Sequence, residues 1–217
     1  MIITIDGPAG SGKSSVAKIV AKKLGAAFLD TGAMYRAVTL AAMNEGVDLS
    51  DEAALLELAE GKNFHFDISN GSMRVSIDGV DCTEDIRRVD VTNNVKYIAG
   101  AVKIRAKLVE LQRQFAVENK DIVTEGRDQG TVAFPDADYK FFLEADTAER
   151  ARRRHAELAE KGIDVDIAEL EKDIRKRDIS DKKRTHSPLI KADDAIEIDT
   201  TPLDLEGVVA KISAYIQ

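Results

Sequence analysis

The stretch "IITIDGPAGSGKSSVAKIVAKKLG", residues 2–25, constrains the fold more than any other part of the chain. A short β-branched run is followed by a glycine-rich segment, and apolar residues then recur at helical spacing up to Gly25. The pattern therefore predicts a strand, a loop and a helix in immediate succession. Such a loop can turn its backbone N–H groups inward on an anion, and the helix N-terminus adds a partial positive charge.

The loop "GPAGSGKS", Gly7 to Ser14, matches the pattern G-x-x-x-x-G-K-[ST] of nucleotide-phosphate sites. Lys13 is predicted to reach the β- and γ-phosphates of a nucleoside triphosphate, and the Ser14 hydroxyl to ligate Mg²⁺. The alternative is a glycine-rich strand-to-helix turn with no ligand. The motif indicates a nucleotide but does not distinguish a kinase from a hydrolytic switch or motor.

The rest of the chain alternates strand-like runs such as "AFLD", "DIVT", "YKFFLEA" and "AIEID" with helical patterns. This alternation predicts an α/β fold of the P-loop NTPase type, with a mostly parallel sheet and helices on both faces. Between Asn63 and Cys82 apolar and polar residues alternate with a period of two, and the turn pairs "NG" and "DG" interrupt this pattern. We therefore expect a small antiparallel β insertion there.

The 31 basic and 39 acidic side chains give a net charge of −8, which disfavours a nucleic acid polymer as a partner. Cys82 is the sole cysteine, which fits a reducing compartment, and we expect it to be a small side chain in a strand. The sequence contains no signal-peptide pattern and no run of about 18 apolar residues, so no membrane association is expected. We expect a soluble cytoplasmic protein.

The segment "TEGRDQGT", residues 124–131, follows a predicted buried strand and places Arg127 and Asp128 between two glycines. Open α/β sheets bind ligands at the carboxyl ends of their strands, so this pair is a candidate ligand contact. Glu125, at the strand end, resembles the acid that orders Mg²⁺ in ATPases. The stretch "NKDI", residues 119–122, departs from the guanine motif N-K-x-D by one position.

Phosphoryl transfer to a phosphorylated acceptor requires a second anion site, and guanidinium groups suit it because they keep their charge and offer paired donors. The three histidines show no metal-ligand spacing. The arginine candidates are Arg36, Arg105, Arg127, Arg153, Arg177 and Arg184.

Six stretches in order, "ITIDGPAGSGKSS", "LDTGAMYR", "EGRDQGTVAFPDA", "ERARRR", "RDISDKKR" and "IDTT", resemble the bacterial cytidylate kinases over nearly the full length. The resemblance implies transfer of the γ-phosphoryl group of ATP to CMP or dCMP, with Mg²⁺, by a monomer. It further implies one kinase domain over 1–217, with an acceptor insertion at 63–99 and a lid with flanking helices at 150–184.

By the same resemblance, Thr31, Arg36 and Arg127 hold the acceptor phosphate with Arg184 near them, and Asp128 and Arg105 read the cytosine edge. Asp181, with Arg177 beside it, binds the ribose hydroxyls. Lys13, Arg127 and Arg153 are the implied catalytic residues, Arg153 acting from the lid on the ATP phosphates. The implied ATP contacts are Gly7, Pro8, Ala9, Gly10, Ser11, Gly12, Lys13, Ser14 and Ser15.

The sequence departs from the family pattern in the helix before Arg105. Lys96 stands where a serine that touches cytosine is usual, and Val102 replaces a proline. Gln129 and Ser180 are smaller departures. A lysine cannot accept a hydrogen bond from the base amine, so UMP or another nucleoside monophosphate remains an alternative acceptor. A P-loop switch without an acceptor is the alternative from a different class.

Overall fold

The structure, a computed structural model, describes residues 1–69, 71–160 and 162–216. Five strands form its central sheet: β1 (Ile2–Asp6), β2 (Ala27–Asp30), β6 (Ile122–Gly126), β7 (Tyr139–Glu144) and β8 (Ile196–Asp199). They lie in the order β2-β6-β1-β7-β8, and all four neighbouring pairs are parallel. The prediction of a mostly parallel sheet is confirmed.

Helices cover both faces of this sheet. They are α1 (Lys13–Leu24), α2 (Thr31–Asn44), α3 (Glu52–Gly61), α4 (Val89–Gly100), α5 (Val102–Asn119), α6 (Thr147–Glu160), α7 (Ile167–Lys183) and α8 (Leu205–Ser213). On one face, residues of α1 and α8 pack with Ile3, Ile5 and Phe141 of the sheet. On the other face, α2 to α5 bury Leu29 and Ile122. Within the described ranges, no helix is both long and apolar enough to cross a membrane.

The predicted antiparallel insertion is also confirmed. Strands β3 (Phe64–Ser69), β4 (Ser72–Ile77) and β5 (Val80–Asp81) form a second sheet in the order β3-β4-β5. Asp78 and Gly79 have φ of 52° and 82°, the pair of positive values that a two-residue hairpin turn requires. The predicted "NG" turn begins at Asn70, which lies outside the described residues. Helix α4 follows the small sheet and packs on α2.

The carboxyl ends of the central strands meet at one edge of the sheet, where α/β proteins bind ligands. There β1 leads into the glycine loop, β2 into α2, and β6 into a π-helical turn, Gln129–Ala133. Cys82 lies just after β5, buried, and burial raises the pKa of its thiol. The expectation that Cys82 lies in a strand is wrong by one residue, because β5 ends at Asp81.

Candidate active site

The glycine loop between β1 and α1 is shaped by close backbone contact. Gly7 has φ of 150°, and a Cβ there would lie 2.1 Å from the carbonyl oxygen of Leu143, so a side chain cannot be accommodated. The Lys13 ammonium lies inside the loop, donating to the Pro8 carbonyl at 2.6 Å and to Ser11 Oγ at 3.4 Å. Burial, followed by the nearby charge of Arg127, lowers the pKa of Lys13 to about 7. The loop thus encloses a lysine ammonium whose hydrogen-bond partners carry no negative charge.

Ser14, the first-turn hydroxyl of α1, donates to Glu125 Oε1 at 2.7 Å. Glu125 is buried near the end of β6. A hydroxyl beside a carboxylate suits Mg²⁺, which kinase sites bind through one or two carboxylates together with substrate phosphates. Across the described part of the chain, no group of three or more His, Cys, Asp or Glu side chains forms a metal cluster, which is compatible with that sparse ligand set. Glu125 resembles, by its place at a strand end, the acid that orders Mg²⁺ in ATPases, but it was not among the metal ligands predicted from the sequence.

Asp181 of α7 joins two of the predicted acceptor arginines. Arg127 Nε donates to one of its oxygens at 2.9 Å, and Arg184 Nη2 to the other at 2.7 Å. Arg177 lies one turn earlier on α7 and keeps solvent-exposed surface, yet it is crowded by protein atoms in the concave cleft. Desolvation, followed by the positive charge of Arg127, lowers the pKa of Arg177 to about 10. The three guanidinium groups therefore share one electrostatic environment.

Arg36 approaches this group from the start of α2. Its Nη2 lies 3.5 Å from Asp30 Oδ2, and the other oxygen of Asp30 caps α2 by accepting from Ala33 N at 2.8 Å. Thr31 donates to the Glu125 carbonyl at 2.6 Å. The strand-to-helix turn between β2 and α2 is thereby tied to β6. Arg87, which the sequence reading missed, lies 3.6 Å from the same Asp30 oxygen.

Arg105 and Asp128 form a buried ion pair, with only 6% and 4% of their surfaces exposed. The Arg105 guanidinium also donates to the Ala99 carbonyl at 3.1 Å, and its central carbon lies 5.3 Å from the centre of the Tyr35 ring. Such a pair has little freedom to move because both partners are desolvated and packed. It offers an adjacent donor and acceptor for recognising a polar planar edge.

Several buried guanidinium donors in the cleft make no hydrogen bond to any described residue. They are the Nε atoms of Arg36, Arg105 and Arg184. A buried donor without a partner is costly, and a ligand oxygen that reached one of these atoms would remove that cost. The structure thus brings together Thr31, Arg36, Arg105, Arg127, Asp128, Arg177, Asp181 and Arg184 at the acceptor side.

Arg153 lies apart from these residues in this conformation. Its guanidinium donates to Glu149 Oε1 at 2.9 Å and to the Thr200 carbonyl at 2.6 Å, on the loop after β8. Thr200 Oγ1 in turn lies 3.4 Å from the Ser11 carbonyl of the glycine loop. Among the described residues, Thr200 links Arg153 to the loop.

Arg150 contacts the loop directly, and the sequence reading did not single it out. It is 3% exposed and donates to the Ala9 carbonyl at 2.9 Å and to Asp178 of α7 at 2.5 Å. The run "ERARRR" gave no signal for Arg150, because a helical period alone does not say which arginine of the run points inward. This pair ties the loop to the helix that carries Arg177 and Asp181.

Lys96, the departure from the family pattern, is exposed on α4. Its ammonium lies 5.1 Å from the centre of the Tyr97 ring, a cation–π distance. Gln129, the second departure, is buried, and its side-chain oxygen accepts from Thr124 at 2.9 Å beneath the Arg127 turn.

Comparison with known proteins agrees with this geometry. The sequence profile described as "Cytidylate kinase" matches residues 3–217. The chain is 48% identical to "Cytidylate kinase" of Lactobacillus johnsonii, covering 100% of this chain and 94% of that protein, and 44% identical to "Cytidylate kinase" of Clostridioides difficile, covering 100% and 98%. A solved structure of an uncharacterized protein from Eubacterium ventriosum superposes with a TM-score of 0.55 at 16% identity, covering 100% and 98%, and supports the fold alone. The chain belongs to the cytidylate kinase family.

Proposed function

We propose that this protein transfers the γ-phosphoryl group of ATP to CMP or dCMP, giving ADP and CDP or dCDP. The observation that carries the proposal is the convergence of guanidinium groups beside Lys13, several with buried Nε donors that lack a partner among the described residues. A protein that only binds ATP needs no second anion site of this kind. The names of the relatives, all described as cytidylate kinases, support the choice of acceptor.

The charge balance of the acceptor cleft suits a phosphate dianion. Among the described residues there, five arginines are predicted acceptor contacts, and they face three carboxylates, Asp30, Asp128 and Asp181. The positive groups outnumber the negative ones, and Arg87 beside Asp30 adds a further positive charge, so the cleft suits an anion. In the proposal, Thr31, Arg36 and Arg127 bind that phosphate with Arg184 beside them.

The nucleoside of the acceptor is assigned to the remaining groups. Asp181 and Arg177 bind the ribose hydroxyls, and the rigid pair of Asp128 and Arg105 binds the base. Cytosine presents an amine that a carboxylate accepts, whereas uracil presents a carbonyl at the same position and is repelled. This supports CMP over UMP without any contribution from Lys96, whose ammonium lies over Tyr97.

ATP is assigned to the loop from Gly7 to Ser15, with Lys13 on the β- and γ-phosphates. Ser14 and Glu125 would hold Mg²⁺, which would supply positive charge against the negative charge that develops in transfer. Arg153 would complete the site from the lid. The acceptor phosphate is already a competent nucleophile near neutral pH, so these side chains act by positioning and charge neutralisation and not as a strong base.

The proposal treats residues 1–217 as one kinase domain, with 63–99 as the acceptor insertion and 150–184 as the lid with its flanking helices. It takes the protein to be a monomer that acts on CMP, dCMP and ATP in the cytoplasm, where the buried Cys82 thiol stays reduced. Sedimentation of the pure protein at several concentrations tests whether it is a monomer.

Coupled ADP release with each nucleoside monophosphate in turn tests the reaction. We expect turnover with CMP and dCMP, much slower turnover with UMP, and only trace ADP without an acceptor. Turnover with UMP but not with CMP would show that the acceptor is UMP and that the proposed acceptor is wrong. Slow ATP hydrolysis at a rate that no added monophosphate changes would indicate a P-loop switch and not a kinase.

A further inference from the structure

Asp6 is a buried carboxylate that the proposed reaction does not use. It is the last residue of β1, directly before the glycine loop, and only 4% of its surface is exposed. Its Oδ1 accepts from the backbone N–H of Gln129 at 2.9 Å, and its Oδ2 from that of Gly130 at 2.8 Å. Those two residues begin the π-helical turn that follows Arg127 and Asp128. One side chain therefore joins the start of the donor loop to the turn that carries two acceptor residues.

The fit between β1 and this turn is tight. A Cβ on Gly130 would lie 3.0 Å from Thr4 Oγ1 and 3.5 Å from Asp6 Oδ2. The glycine is needed here for close approach, because Thr4 and Asp6 project from the same face of β1. The turn is therefore seated directly on the strand that leads into the loop.

Burial and the backbone hydrogen bonds of Asp6 have opposite effects on its pKa. Desolvation raises the pKa of Asp6 to about 7, and the N–H groups of Gly130 and Gln129 oppose that shift most strongly. The charged groups that act on it, Asp128 from the turn and Lys13 from α1, have smaller effects on its pKa. Its dominant partners are thus the backbone of the acceptor turn and not the lysine of the donor loop.

We propose that Asp6 is a positioning residue that sets the distance between the donor loop and the acceptor residues Arg127 and Asp128. The inference rests on the proposed function. In an Asp6→Asn variant the amide nitrogen cannot accept a hydrogen bond, so one of the two N–H groups loses its partner. The turn then shifts with Arg127 and Asp128, while the contiguous loop still binds ATP. A displacement of about 1 Å can cost roughly 100-fold in rate.

The experiment compares Asp6→Asn with Thr4→Val. Thr4 is fully buried on the same strand face and lies against Gly130, but its hydroxyl has no hydrogen-bond partner among the described residues. Valine keeps nearly the same shape at this contact, so the control removes no hydrogen bond from the turn. For Asp6→Asn we expect kcat to fall by about 10- to 100-fold and the KM for CMP to rise by about tenfold, with the KM for ATP within about twofold. Thr4→Val should leave all three within about twofold. Equal increases in both KM values, or no change in either, would overturn the inference.

A second measurement does not depend on turnover. In the ligand-free protein, the amide protons of Gln129 and Gly130 should resonate downfield, because they donate to a carboxylate. At least one should move upfield in Asp6→Asn, and neither should move in Thr4→Val. Unmoved resonances refute the inference whatever the activity, whereas a wild-type enzyme that ignores CMP refutes the proposed function alone. Asp6→Glu serves if Asp6→Asn folds poorly: it keeps both N–H partners but lengthens the arm, so the KM for CMP should again rise selectively.

Discussion

The donor loop and the acceptor cleft both bind phosphate in the proposed reaction, but they are built by opposite means. The loop is a contiguous run from Gly7 to Ser15 that recognises phosphate through backbone N–H groups and a helix N-terminus. The cleft is a set of side chains drawn from positions as far apart as Arg36 and Arg184. The first therefore depends on local backbone conformation, and the second depends on how five elements pack.

The two regions also differ in how their charges are balanced. The hydrogen-bond partners of Lys13 in the loop are a carbonyl and a hydroxyl group, and burial disfavours its charged form by lowering its pKa. The cleft arginines already have the carboxylates of Asp30, Asp128 and Asp181 as partners. A ligand in the loop supplies missing charge, whereas a ligand in the cleft must replace or join existing pairs. Selectivity is expected on the cleft side because those pairs have fixed directions.

The largest expected effect that separates the regions comes from Arg127→Ala. It should lower kcat/KM for CMP by about 10³-fold, because a guanidinium on the transferring or accepting phosphate stabilises the transition state. Binding of ATP, measured by calorimetry, should change little. Arg152→Ala is the matched control, since Arg152 is exposed on α6 and pairs only with Glu149 among the described residues. Equal weakening of ATP and CMP would mean that the two regions are not separable.

A smaller effect is expected when the base-reading pair alone is altered. Asp128→Asn should reduce the preference for CMP over UMP by about 10- to 100-fold, because a charged hydrogen bond to the base amine is lost. Rates with each monophosphate under competition give the ratio. Asp194→Asn removes an exposed carboxylate that pairs with Lys140 and should leave the preference unchanged. An unchanged preference in Asp128→Asn would assign base selection to other residues.

The role of the donor loop can be tested through the pH dependence of ATP binding. Lys13 has a lowered pKa of about 7 in the ligand-free protein, and bound phosphates should raise it again. At pH 8, ATP binding should therefore take up close to one proton, and affinity should fall as pH rises through 7 and above. Calorimetry in buffers of different ionisation enthalpy measures this uptake. Lys13→Met should abolish it, and uptake that persists in this variant would place the titrating group elsewhere.

The smallest effect is expected at Lys96. Because its ammonium lies over Tyr97 at the exposed surface of α4, Lys96→Ser should change kcat/KM for CMP and for UMP by less than about twofold. Steady-state kinetics with both monophosphates test this. A gain of tenfold or more in the preference for CMP would show that the lysine reaches the base.

Much of the fold could be predicted because its signals are local. The strand, loop and helix around Lys13, the alternating strands and the Asp78–Gly79 turn follow from period and glycine position within short windows. The strand order, with β6 between β1 and β2, could not be predicted in this way, since it depends on which strands pack side by side. The ion-pair and hydrogen-bond partners of the arginines could not be predicted from the sequence either. Nothing in "ERARRR" distinguishes Arg150 at the Ala9 carbonyl from Arg153 at Thr200.

The sequence by itself determined the phosphate loop, the α/β class and the family, because each depends on contiguous residues whose backbone preferences act over a few positions. Only the tertiary structure decided that Asp6 holds the acceptor turn, that Ser14 meets Glu125, and that Lys96 lies over Tyr97. Those contacts join residues on different elements or select one orientation of a flexible side chain. Their free energy depends on burial and distance, which exist only once the chain is folded.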